Sequence, residues 1–298
     1  PEEDHWAPER PPATTELLTR ATINNVTRPW RFVRTVGRSV PMLARAIDRT
    51  RRHEIEGPVA QAPSTRFNEP VSPNRVMDGR HFDLDDIKRI RKQVDGTTVN
   101  DSVITIVGGA LRAYLDGKGE LPDDSLVSFA PISVRADDDT GEAGNKVSGM
   151  FTRLHTEIAD PIERLEAVAA SCRDAKSVHQ TIGATTLTDY TEFGPRRLAG
   201  LAARVSSRTG LLGQIGLPVN CVVTNVPGPQ FPLYLAGAKA VRLYGTAPII
   251  DYLGLMHAIF SYDGGLTITF TACRRQMPDP AHYAECIQGS FDELIARS

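Results

Sequence analysis

The sequence predicts an α/β fold in two layers, helices covering a mixed sheet, and three observations predict it. Short β-branched runs, such as Val219-Asn220-Cys221-Val222-Val223-Thr224, alternate with longer segments of helical apolar spacing. Helix starts with strong caps stand at Thr98 and at Asp160-Pro161. Near the C-terminus two strand-like runs flank Asp263-Gly264, a dipeptide that favours a tight hairpin. Strands mixed with long helices and closing on a hairpin fit a two-layer domain.

Composition narrows the classes of function. The 298 residues are 41% hydrophobic and 23% charged, ample for a large buried core. A net charge of -2 leaves no electrostatic footprint for nucleic acid, so none is expected as a partner. Cys172, Cys221, Cys273 and Cys286 are widely spaced and show no metal-ligand pattern. Free thiols, a reducing cytoplasmic setting and no metal site are therefore expected. No apolar run approaches the roughly 18 residues that a membrane span needs.

Residues 1–70 read as an inter-domain linker, because the chain opens on charged, proline-rich sequence (Pro1 to Asp4, Pro8 to Pro12). Within it, eight arginines at 28, 31, 34, 38, 45, 49, 51 and 52 face a single acid, Asp48. On a helix, Arg31, Arg34, Arg38, Arg45, Arg49 and Arg52 fall within an arc of about 60°. Trp30, Val33, Val36, Val40, Leu43 and Ile47 take the opposite side. Such a basic amphipathic helix fits a packing linker and equally a peripheral contact with an anionic membrane or lipid-droplet surface.

Residues 71–298 read as one domain. A strand is expected over 80–84 and a short helix over 85–94. Thr98, with Asp101 three residues on, makes a capping box for a helix carrying Ile104, Val107, Leu111 and Leu115. That helix should end at Gly117 and Gly119. Strands follow over 125–134 and 146–155. Asp160 then caps a helix with Ile162, Leu165, Ala169 and Cys172 on its apolar face. Two more helices are expected over 187–193 and 195–207. The Val219 run is a strand that Pro227-Gly228-Pro229 should stop sharply, leaving Thr224 and Asn225 at its end. Strands over 255–262 and 265–273 form the hairpin, and a helix over 280–296 closes the chain.

Four segments carry a resemblance. They are Asn100-Asp101 with Gly109-Ala110-Leu111-Arg112; Gly144-Asn145-Lys146-Val147-Ser148; Thr224-Asn225-Val226-Pro227-Gly228-Pro229; and Tyr262-Asp263-Gly264 with Leu266. In that order and spacing, residues 70–298 resemble the C-terminal part of the bacterial wax ester synthase/diacylglycerol acyltransferase family, in the Arg- and Ala-rich style of an actinobacterial member. The resemblance implies a chloramphenicol-acetyltransferase-like fold of two similar halves with a tunnel between them. It implies transfer of a long acyl chain from coenzyme A to the hydroxyl of a diacylglycerol or fatty alcohol. Acyl-CoA is then a co-substrate, and no cofactor is expected.

That chemistry needs a histidine base and donors for an oxyanion. The family carries the base in an HHxxxDG motif, which this sequence lacks. The base is therefore expected from an N-terminal half, with this chain inactive by itself. His81 to Asp85 gives only HxxxD and reads as a strand entering a helix; His257, on an apolar run, reads as a hydrogen-bonded core residue. The resemblance points to Thr224 and Asn225 as groups facing the base or the thioester. Asn100 and Asp101 either hold a helix N-terminus or shape the catalytic centre. Gly144, Asn145 and Ser148 suit a turn or an acyl-CoA contact, and Gly245 suits a passage for the chain or a tight turn. Two further readings stay open: a related condensation or polyketide-associated acyltransferase half, and a non-catalytic lipid-surface or partner-binding module.

Overall fold

The structure is a computed structural model and describes residues 62–133, 147–182 and 218–298, with Ala13 and Thr15. The basic segment 28–52, the helices expected over 187–193 and 195–207, and positions Gly144 and Asn145 lie outside the described residues. A single 3₁₀ turn, Arg66–Asn68, opens the described chain, capped reciprocally by Thr65 and Asn68. There follow β1 (Arg75–Asp83), α1 (Leu84–Arg91), α2 (Val99–Asp116), β2 (Val127–Ser133), β3 (Val147–Arg153) and α3 (Pro161–Ile182). Next come β4 (Cys221–Pro227), β5 (Tyr234–Leu235), β6 (Ala238–Lys239), β7 (Leu255–Tyr262), β8 (Gly265–Cys273) and α4 (Pro280–Ile295).

Six strands make one mixed sheet in the order β1-β8-β7-β4-β2-β3, and β5 and β6 form a separate small hairpin. β4 runs parallel to both its neighbours, β2 and β7; the other pairs are antiparallel. The mixed α/β reading of the sequence therefore holds. The β7–β8 turn is as expected: Asp263 and Gly264 both take positive φ, 45° and 83°, which the type I′ turn demands.

Alternation along the strands sorts the sheet into two faces. Phe82 (β1), Leu266, Ile268 and Phe270 (β8), Leu255 and Ile259 (β7), and Cys221 and Val223 (β4) join one core with the helices. From α2 that core takes Ile104, Val107, Leu111 and Tyr114, and from α4 it takes Tyr283, Ile287 and Phe291. α2 lies between α3 and α4 and packs on both. Both predicted caps are present: Thr98 Oγ1 accepts from the Asp101 amide at 3.2 Å, and Asp101 Oδ2 from the Thr98 amide at 2.8 Å. Asp160 Oδ1 accepts from the Ile162 and Glu163 amides. Each cap satisfies helix N–H groups that the helix itself leaves unpaired.

The opposite face is only partly covered. No helix packs on it among the described residues; instead the chain after β6 crosses it as a strap. Thr269 Oγ1 donates to the Gly245 carbonyl at 2.8 Å, and the Ala247 amide donates to Thr271 Oγ1 at 3.4 Å. The strap thus lies along the outward threonines of β8. Towards β4, β2 and β3 the same face bears Val222, Thr224, Val226, Phe129 and Phe151, of which Val226 and Phe151 are exposed.

Candidate functional site

β4 is held to β2 at one end and parts from it at the other. Asn220 makes the clamp: its amide donates to the Val127 carbonyl, and its Oδ1 accepts from the Val127 amide at 2.9 Å. Asn220 Nδ2 also donates to the Pro63 carbonyl at 2.6 Å and to Asn68 Oδ1 at 2.9 Å. The ladder between the two strands then consists of Ser128 opposite Cys221 and Phe129 opposite Val222, and stops. β2 continues to Ser133 and β4 to Pro227, with Pro131 of β2 unable to donate across the opening. The result is a split in the middle of the sheet, bordered by Ala130 and Pro131 on one side and by Val223 to Pro227 on the other.

Thr224 and Asn225 stand on the rim of this split. Contrary to expectation they are not at the strand's end, since β4 keeps its register with β7 through Pro227 opposite Ser261. Even the Gly228 amide donates to the Ser261 carbonyl, at 3.0 Å. A proline is tolerated there because the ladder to β2 has already ended. The pleat sends the two side chains to opposite faces. Thr224, level with Ala258, joins the partly covered face; Asn225, level with Ile259, joins the helix side. Both are half-buried, and neither side chain has a hydrogen-bond partner among the described residues.

Asn100 and Asp101 stand in the first turn of α2. Gly108, two turns on, lies against the Leu154 carbonyl, whereas Asp101 acts on Cys172 of α3 beside Thr152 of β3. From Gly108 to Asp101 the helix therefore runs in the direction in which β2 and β4 advance, Asp101 lying near Thr152, the partner of Ser128. Asp101 is buried at 2% exposure, and only one of its oxygens is used by the cap. Among the described residues its Oδ1 makes no well-formed hydrogen bond, and neither does Thr152 Oγ1. Burial, then the Asp101 carboxylate, raises the Cys172 thiol, so this cysteine is a neutral neighbour and not a nucleophile. Asp101 thus has a demonstrated capping role. Asn100, half-buried and without a side-chain partner among the described residues, is the residue that the capped turn presents.

The remaining positions divide. Ser148 sits in β3 opposite Ile132, but its side chain is outside the described residues. At Gly245 any β-carbon would collide with the Phe260 ring, so the glycine lets the strap press onto β7. The space expected there for a substrate chain is filled by the protein's own side chain.

Neither histidine considered for chemistry is placed for it. His257 is fully buried, its Nε2 2.7 Å from the Tyr283 hydroxyl, and burial pushes its pKa down to about 4. His81 bonds Thr267 Oγ1 at 3.0 Å through Nδ1; partial burial, then Arg242, lowers its pKa. Among the described residues no group of three or more His, Cys, Asp or Glu could hold a metal ion. Sequence reasoning missed Asn220, Phe129 and Phe151. Asn220 draws its role from partners 93 and 157 residues away, and the two rings sit on strands whose pairing no local signal reveals.

Comparison with known proteins gives the family. A model of the wax ester synthase/diacylglycerol acyltransferase catalytic domain matches residues 1–103, and a model of the WS/DGAT C-terminal domain matches residues 143–295. A Mycobacterium tuberculosis protein named as a proposed diacylglycerol O-acyltransferase is 30% identical over 94% of this chain and 55% of its own length. The O-acyltransferase WSD of Acinetobacter baylyi is 32% identical over 80% of this chain and 50% of its own length. The wax ester synthase/diacylglycerol acyltransferase of Marinobacter aquaeolei VT8 superposes with a TM-score of 0.63 at 25% identity, over 88% of this chain and 56% of that one. The chain thus spans about half the length of the curated relatives it matches.

Proposed function

The chain belongs to the wax ester synthase/diacylglycerol acyltransferase family, and from that membership we propose that it forms one wall of an acyl-CoA-dependent O-acyltransferase. The reaction esterifies a diacylglycerol, and also a long-chain alcohol, giving triacylglycerol or wax ester. The acceptor oxygen attacks the thioester carbonyl while a base takes its proton. The C–S bond then breaks, and the departing thiolate receives that proton. The products are the ester and free coenzyme A, and no cofactor takes part.

In this reading the general base comes from outside the described residues, because His257 is neutral and enclosed and His81 is tied to Thr267. What this chain contributes is the split sheet. One observation carries the assignment within the chain: Thr224 and Asn225 are polar, half-buried and, among the described residues, unpartnered, and they stand on the rim left where the β2–β4 ladder ends, while Asn100 is half-buried in the first turn of α2. Unpaired amide and hydroxyl donors beside an apolar face can stabilise the charge that develops on the thioester oxygen. Gly144, Asn145 and Ser148 are assigned to the acyl-CoA side of the cavity on the family resemblance.

We place the protein on the cytoplasmic side, touching an anionic lipid surface through the Arg-rich segment 28–52. No helix among the described residues is long and apolar enough to cross a membrane. Exchanging Arg31, Arg34, Arg38 and Arg45 for Gln should reduce sedimentation of the full-length protein with anionic vesicles; unchanged sedimentation removes the lipid contact. The catalytic reading is tested by thiol release from acyl-CoA in the full-length protein. Release that requires both acyl-CoA and diacylglycerol or alcohol is expected, and its absence with every acceptor refutes the assignment.

A further inference from the structure

The strand registers align one cross-sheet row on the partly covered face: Met77, Thr271, Met256, Val222, Phe129 and Phe151 stand opposite one another from β1 to β3. Five of the six are apolar and none is charged. Thr271 lies under the strap, while at the other end Phe129 is half-buried and Phe151 is 40% exposed. The row is therefore accessible at its β1 end, where Met77 is 49% exposed, and at its β2–β3 end, beside Thr224.

Two aromatic rings stand at that end, 5.4 Å apart and tilted at 56°. Phe129 does not stand upright over its partner Phe151. It leans diagonally over Gly149, where a β-carbon would fall inside the ring. Gly149 is opposite Pro131, one step towards the split, and Thr224 is one step beyond Val222 on β4. The ring can lie flat on β3 only because position 149 has no side chain. Any side chain there must displace the ring from its place over the strand, between Phe151 and the neighbours of Thr224 on this face.

We propose that Phe129, lying over Gly149 and flanked by Phe151, is a gate that sets the length of alkyl chain admitted to this face. The occupant is an unbranched alkyl chain, argued from the uncharged thioether and aromatic row and from the acyltransferase reading above, on which this inference rests. The chain belongs to the acyl donor or to the alcohol acceptor, and the test separates the two.

The experiment uses the full-length protein with Gly149→Ala, Phe129→Ala and the double variant. One series varies the donor from octanoyl- to palmitoyl-CoA against a fixed acceptor; a second varies the alcohol from octanol to hexadecanol against a fixed donor. In one of the series Gly149→Ala should lower kcat/KM for the longest chain relative to the shortest by about tenfold or more, the scale that steric fit in an apolar pocket supplies. Removing the ring as well should restore the ratio. An unchanged ratio in both series, in a folded variant, overturns the gate, as does an equal fall for all lengths that the double variant does not reverse.

Should Gly149→Ala fail to fold, Phe129→Trp enlarges the ring from its own side and must shift the ratio in the same direction. Displacement of cis-parinaric acid by octanoate, laurate and palmitate reads the same preference without turnover. A wild-type protein that transfers no acyl group yet shows this length-dependent displacement, altered by Gly149→Ala, defeats the catalytic assignment and leaves the gate standing. Displacement that ignores both residue 149 and chain length defeats the gate.

Discussion

Asn225 and Thr224 are adjacent in sequence yet serve opposite faces of β4, so their substitutions should separate. An amide has two N–H donors and the longer reach, and Asn225 borders the split. Asn225→Ala should therefore lower kcat by roughly a hundredfold, the scale found when one oxyanion donor is removed. The stability change should stay below about 1 kcal/mol, because its side chain makes no hydrogen bond among the described residues. Thr224→Val keeps the shape of the partly covered face and should cost about tenfold, within the range of a single transition-state contact. Turnover and urea midpoints of the same preparations check both; an unchanged rate in folded Asn225→Ala removes it from the site. His257 makes a different kind of prediction. Its pKa is about 4 in the folded protein against about 6.5 unfolded, so the unfolded chain binds the extra proton between those values. Stability should be unaffected by this group above pH 6.5 and should fall as pH drops from about 6.5 to 4. The loss amounts to about 3 kcal/mol for 2.5 units. Urea denaturation across that window should show His257→Gln losing less stability than the wild type; equal slopes would mean that the imidazole is not enclosed.

The elements divide into those written locally and those made by distant partners. The start of α2 was legible because a capping box needs only residues 98 to 101, and the β7–β8 hairpin because Asp263-Gly264 determines its own turn. β5 and β6 were not legible: two-residue strands show no periodicity, and their turn places Ala236 at φ 49°, which its sequence does not announce. The strand carrying Thr224 and Asn225 was legible, but its end was not. Pro227 stops a strand only if the missing N–H was needed, and here the neighbour on one side had already turned away. The split itself depends on Asn220 and Pro131, residues that look like ordinary strand polarity and an ordinary breaker until the register is known. The reciprocal cap of α2 gives a quantitative test at this scale. Thr98→Ala and Asp101→Ala should each cost about 1 kcal/mol, typical for an N-cap. Because each residue bonds the other's amide, the double variant should cost less than the sum. Strict additivity in a double-mutant cycle would mean that the two bonds act independently.

At the scale of the whole molecule, one side of the sheet is finished and the other is not. The helix side has a continuous core and polar outer helix faces. The other side carries large apolar side chains in the open: Phe231, Tyr234 and Leu235 of the small hairpin segment, and Val241 of the strap, are 62%, 65%, 82% and 78% exposed. The hairpin is tethered to the β7–β8 turn by Lys239 paired with Asp263 at 3.0 Å and by Gln230 Oε1 accepting from the Gly264 amide, so it is a positioned element. Clustered apolar exposure of this kind marks an interaction surface. This chain covers about half the length of those relatives, and the proposed function pairs it with a second half. If that half covers the hairpin, Leu235 is buried in the full-length protein. Replacing it by Glu then removes about 2 kcal/mol of burial and adds the cost of a buried, unpaired carboxylate. Leu235→Glu should lower the stability of the full-length protein by about 3 kcal/mol or more, read as a shift in urea midpoint. A surface substitution stays within about 0.5 kcal/mol. A change that small would show that the hairpin remains in water and that the second half docks elsewhere.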